Sequence, residues 1–128
     1  MNRDRRIQPR YTLPAMYTAI AIRPGDSDQF LHEGHAYDLS LSGVRFELDE
    51  AIAPGTAVGV RIDLPGHSNF GGQADARPVY ALANVVWIED EDQPPPFRMA
   101  AVFTRFAVLG DEQRLERALS GGRYRLVA

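Results

Sequence analysis

The sequence predicts a mainly β domain: six antiparallel strands in a closed or nearly closed, Greek-key-like split barrel, with one short helix near the C-terminal end. Three observations predict it. Apolar and polar residues alternate with a period of two through much of the chain. Pairs such as Pro24-Gly25, Ser42-Gly43, Pro54-Gly55 and Pro65-Gly66 punctuate the apolar segments with turn chemistry. A helical stripe shows only near the end, at Leu115, Ala118 and Leu119.

A first strand is expected at about Thr12–Ile22 and a short second one at about His35–Ser40. In the third, Val44, Phe46 and Leu48 alternate with Arg45, Glu47 and Asp49; in the fourth, Val58, Val60, Ile62 and Leu64 alternate with Gly59, Arg61 and Asp63. Both patterns predict one buried face and one solvated face. The fifth, Val79–Ile88, is apolar on both sides and is expected to be central. Trp87 there could stack on a ligand ring, though a large aromatic in a central strand is more often core. The sixth spans about Arg98–Phe106. Between these two, Glu89 to Pro96 reads as a stiff, acidic, solvated connection. The helix should run from Asp111, as its cap, to Leu119, and stop at Gly121-Gly122. So short a helix must lie against the sheet, and closing the sheet removes exposed edges.

The chain has 128 residues, 45% of them hydrophobic and 24% charged, enough for one core and too apolar for general disorder. Nothing reads as a membrane span or a signal peptide, which makes the cytoplasm the expected compartment. With no cysteine there is no disulfide, thiolate nucleophile or Cys-based zinc site. All 14 basic residues are arginine, so the lysine of a P-loop or a Schiff base is missing. Within residues 1–10, four arginines against Asp4 leave +3, whereas ten arginines against sixteen acids in the remainder leave −6. A basic arm on an acidic body suits a small anion gripped at one place better than a nucleic-acid polymer. Residues 1–10 are therefore expected to form a flexible arm, and 11–128 the barrel with its helix.

Two motifs carry chemistry. Arg6-Ile7-Gln8-Pro9-Arg10 is an RxxxR before the first strand, and Asp38-Leu39-Ser40-Leu41-Ser42-Gly43 is a DxSxxG at the turn between the second and third. Taken singly, the first reads as a solvated basic tail and the second as a hairpin with a turn glycine. Their order and setting resemble the PilZ family of cyclic di-GMP (c-di-GMP) receptors. In that family RxxxR precedes a six-stranded barrel, and (D/N)xSxxG joins its second and third strands. The resemblance extends to Ala83-Asn84-Val85-Val86-Trp87, like the family's V-x-W strand. It also includes Ala100-Ala101-Val102-Phe103, where Ala100 replaces the glycine of a common G-x-x-F.

The resemblance implies a bacterial receptor in second-messenger signalling that binds c-di-GMP through Arg6, Arg10, Asp38, Ser40 and Gly43 and signals to a protein effector. It implies no catalysis, no cofactor, no metal and no membrane insertion. The chemistry of the residues agrees. Guanidinium groups pair with guanine O6 and N7 and stack on bases. The Asp38 carboxylate accepts from guanine N1–H and the exocyclic amine, Ser40 can bond phosphate or a base edge, and Gly43 allows close backbone approach. Arg45 is a possible helper from the next strand. In this family an arginine directly before RxxxR, here Arg5, accompanies an intercalated ligand dimer, so a dimer is expected.

Other chemistry is less well supported. His32, His35 and Asp38 do not fit a zinc spacing and read as a solvated loop. No G-x-S-x-G elbow is present, nor a metal-binding cluster for hydrolysing c-di-GMP. The alternative function is a ligand-independent PilZ-like adaptor for protein–protein contact. Single-strand nucleic-acid binding would need interleaved basic and aromatic residues on one face.

Overall fold

Val44, Phe46 and Leu48 fall on alternate positions of β4 (Gly43–Leu48), and all three are buried, with Phe46 fully so. Burying one such side chain contributes about 1.5–3 kcal/mol. In β5 (Ala57–Asp63) Val58, Val60 and Ile62 do the same, as do Val79, Ala81, Ala83 and Val85 in β6 (Val79–Ile88). Together with Ile20 and Ile22 of β2 (Ala19–Pro24), Ala36 and Leu39 of β3 (His32–Leu39), and Met99 and Ala101 of β7 (Phe97–Phe106), they form one interior. The computed structural model describes residues 8–14, 18–64, 77–122 and 124–127.

Six strands close in the order β2-β5-β6-β7-β4-β3, with β3 pairing back to β2, and every pairing is antiparallel. Consecutive strands are neighbours except at β4 to β5, where residues 49–56 carry the chain across to the far side of β2. That step makes the barrel Greek-key-like. A two-stranded appendage, β1 (Tyr11–Thr12) and β8 (Arg125–Leu126), continues beyond β3.

The single first strand expected over Thr12–Ile22 is thus two pieces, β1 and β2, both on the same edge of β3. Pro14 stands between them and has no N–H for the ladder. The Thr18 hydroxyl donates to its carbonyl at 2.9 Å, and pairing with β3 resumes where Ala36 N–H donates to Thr18 O at 2.9 Å. β3 begins at His32, earlier than expected, so His32 and His35 are strand residues and not part of a loop; His32 Nδ1 lies 3.1 Å from Glu50 Oε1.

β6 is central in sequence pairing but not apolar on both faces: it buries alternate residues and leaves Val86 and Trp87 exposed at its end. The helix α1 (Asp111–Ser120) buries Leu115 and Leu119 against the barrel and ends at Gly121. Its N-cap is Gly110, in the left-handed conformation, and not Asp111. Asp111 is instead nearly fully buried, where its Oδ2 accepts from Tyr80 N–H at 3.0 Å and its Oδ1 pairs with Arg114. The carboxylate expected to cap the helix thus fastens it to β6. Among the described residues, no helix is long and apolar enough to cross a membrane.

Candidate functional site

Strict alternation would send Asp38 indoors. Ala36 is fully buried, and a residue two further along an ideal strand shares its face. A register shift between Ala36 and Asp38 breaks that rule by leaving Tyr37 as an extra residue, so that Asp38 emerges outside and Leu39 returns to the core. A second bulge does the same in β6. Val85 pairs with Ala101 and both are buried; Trp87 then pairs with Ala100, with Val86 left over between. Trp87 is turned outward and is 42% exposed, which corrects its expected place in the core.

The two bulges create one transverse row. Asp38 pairs with Arg45, Arg45 with Ala100, and Ala100 with Trp87, across β3, β4, β7 and β6. At about 4.8 Å per strand the row is roughly 14 Å long. Small Ala100 leaves the guanidinium of Arg45 free to lean over the Trp87 ring, 5.9 Å from its centroid. Arg10 joins from the other side. β1 pairs Thr12 with Asp38, and Arg10, two residues before Thr12, brings its Nε to 3.8 Å from Asp38 Oδ2. Arg45 Nε stands 4.0 Å from the same oxygen.

The DxSxxG turn closes the end of the row. Ser40 N–H donates to Gly43 O at 3.0 Å, Ser42 N–H donates to Ser40 Oγ at 3.0 Å, and the two serine hydroxyls are 3.0 Å apart. Ser40 is buried, at 5% exposed, and its hydroxyl is held inside the turn by Ser42. Gly43 has no positive φ; it is needed for space, since a Cβ there would lie 2.5 Å from Ala101 O. The turn is thereby pressed against β7, where Phe103 N–H donates to Ser42 O at 2.9 Å.

Arg10, Asp38, Ser40, Gly43 and Arg45 line a shallow cavity of about 160 Å³. Arg5 and Arg6 lie outside the described residues. Two guanidiniums about one carboxylate leave the cavity net positive. Burial pushes the Asp38 carboxyl above its ordinary value, with Arg10 and then Arg45 pulling against it. Arg45 was identifiable from sequence only as a helper, and the Asp38–Arg45 register adds the reason: the two are directly opposed. Ser42, inside the motif but at a position the pattern leaves open, was not singled out. Among the described residues, no group of three or more His, Asp or Glu could hold a metal ion.

The PilZ domain family profile matches residues 4–121. The chain belongs to the PilZ domain family. Its barrel is similar to the Bacillus subtilis inhibitor of motility (MotI/DgrA), with a TM-score of 0.63 and 19% identity, covering 96% of this chain and 54% of that one. It is also similar to the PilZ domain of YcgR from Escherichia coli, solved with c-di-GMP. There the TM-score is 0.62 and the identity 16%, over 91% of this chain and 90% of that one. This PilZ domain spans about half the length of the Bacillus protein. At such identities the likeness establishes the fold. No curated protein matches the chain. PilZ domains are a family of generally non-catalytic receptors that typically bind c-di-GMP.

Proposed function

We propose that this PilZ domain is a cytoplasmic c-di-GMP receptor that changes conformation on binding and signals to a protein effector. The observation that carries the reading is the row Asp38–Arg45–Ala100–Trp87, completed by Arg10. It offers acceptors for a guanine edge, two cations for phosphate and an exposed ring for stacking. Guanine presents N1–H and the exocyclic amine to Asp38, while Arg10 and Arg45 turn to phosphate or to O6 and N7. The c-di-GMP in the YcgR structure supports the same ligand class.

The cavity of about 160 Å³ is smaller than most ligand pockets, which run from about 300 to 1,000 Å³. A dinucleotide therefore lies across the row with only one corner sunk in it. The open side calls for a cover, and residues 1–10, with Arg5 and Arg6, supply one in this reading. Two intercalated ligands carry four phosphate charges, and Arg5 adds a cation to balance them. Calorimetric titration with c-di-GMP tests the proposal: saturable binding supports it, and no heat at concentrations well above micromolar contradicts it.

A further inference from the structure

The C-terminal strand β8 touches the binding motif. β1 is only two residues long and is held between two neighbours, with Tyr11 opposite both Leu39 and Leu126, and Thr12 opposite both Asp38 and Arg125. Toward Arg10 the ladder extends one step further on the β8 side, where Val127 N–H donates to Arg10 O at 2.8 Å; at the other end of β1, Leu13 N–H donates to Tyr37 O at 3.0 Å. Arg10 is the second arginine of RxxxR, and its guanidinium reaches Asp38. Its carbonyl is thus fixed by the residue that directly follows β8, more than a hundred residues away in sequence. β8 is in turn joined to the core through Tyr124, which packs on the interior, and through α1, anchored by Leu115 and Leu119.

We propose that β8 is a positioning element of the ligand site, acting through the Val127 N–H. Resting on the c-di-GMP reading, it adds to it a residue that touches no ligand. A two-residue strand fixes its flanking residues weakly, because few ladder bonds oppose the entropy of the chain before it. The Val127 bond sets the backbone from which the Arg10 side chain departs, and so decides whether its guanidinium meets Asp38 and an anion together. By reciprocity, a ligand that holds Arg10 also holds β8, which places the last strand under the control of the site.

The test is a pair of full-length variants titrated with c-di-GMP. Val127→Pro removes the N–H, and Val127→Ala keeps it. One net hydrogen bond corresponds to about a three- to tenfold loss of affinity. That loss is expected for Val127→Pro, with near wild-type affinity restored in Val127→Ala and with little change in the thermal transition of either. Amide exchange at Val127 in the wild-type protein gives a readout that needs no variant, and c-di-GMP should slow it by a similar factor. Equal affinity for Val127→Pro and wild type, or an equal loss in both variants, overturns the positioning role. So does exchange at Val127 that speeds up with ligand, which would mean that the ligand displaces β8. Absence of binding by the wild-type protein overturns the c-di-GMP reading itself, and the role of β8 with it.

Discussion

Arg45 stands directly opposite Asp38 in the β3–β4 ladder, with its Nε 4.0 Å from Asp38 Oδ2. Arg10 Nε is 3.8 Å from the same oxygen. Both separations exceed a hydrogen bond, so the cations attract the carboxylate without occupying its lone pairs. Asp38 is therefore oriented by charge and open to N–H donors, as a guanine edge requires.

The first prediction follows from that opening. Asp38→Ala should lower c-di-GMP affinity by about 1.5–3 kcal/mol, roughly ten- to a hundredfold, because it removes a charged acceptor. The wild-type site should also prefer c-di-GMP over c-di-AMP, since adenine lacks the donor pair and leaves the carboxylate desolvated without a partner. Parallel titrations with the two dinucleotides check this. Equal affinity for both would show that Asp38 serves only the turn.

The pH dependence of binding has a definite sign. Burial raises the Asp38 carboxyl in the free protein, and guanine donors favour its ionised form. Binding therefore releases a proton once the pH has fallen into the titration range of Asp38, and affinity declines as the pH falls further. For the free fold the sign is opposite. A raised carboxyl contributes stability at acid pH that is lost as pH rises from the ordinary carboxylate value through the raised one. Asp38→Asn should flatten both profiles, measured by titration and by thermal melting from pH 4 to 7. A wild-type affinity that is flat over that range would contradict the ionised-acceptor role.

Gly43→Ala tests the contact of the turn with β7. Its Cβ would lie 2.5 Å from Ala101 O, a backbone atom that cannot swing aside. Overpacking of this kind costs about 1–3 kcal/mol, seen as a lower melting temperature. An unchanged melt would mean that the two strands separate freely there, and that the glycine is not needed for space.

Much of this was legible in the sequence, because alternation is a strong signal wherever one face is buried. The periods of β4 and β5 and the limits of β6 and α1 follow from Val44 to Leu48, Val58 to Ile62, Val79 to Ile88 and Leu115 to Leu119. What was hidden shares one cause. A bulge changes which face a residue occupies while leaving its apolar pattern intact, so Trp87 at the end of an apolar run reads as core. The Asp38–Arg45–Ala100–Trp87 row depends on two such shifts and on the pairing of β4 with β7, all of them long-range. The first strand reads as continuous over Thr12–Ile22 despite Pro14, because two strands sharing one edge of β3 can be seen only with the partner strand in place.

The arm carries the stoichiometry in this account. Arg5→Leu should shift titration from two c-di-GMP per chain toward one, because the second ligand adds two phosphate charges with no cation to meet them. Limited proteolysis by trypsin should cut after Arg5 or Arg6 in the free protein and be suppressed by ligand. Unaltered stoichiometry in Arg5→Leu would remove Arg5 from the site and leave the remaining residues in place.

Trp87 is the one tryptophan in the chain and stands in the row, within reach of Arg45. Its fluorescence therefore reports the proposed site and no other. Titrating c-di-GMP into the free protein should give a saturable change in Trp87 emission, with the same midpoint as the calorimetric heat. The change should be weakened at least tenfold in midpoint by Arg10→Ala and be absent with c-di-AMP at the same concentrations. Emission that stays constant through saturating c-di-GMP would contradict binding on this face of the barrel.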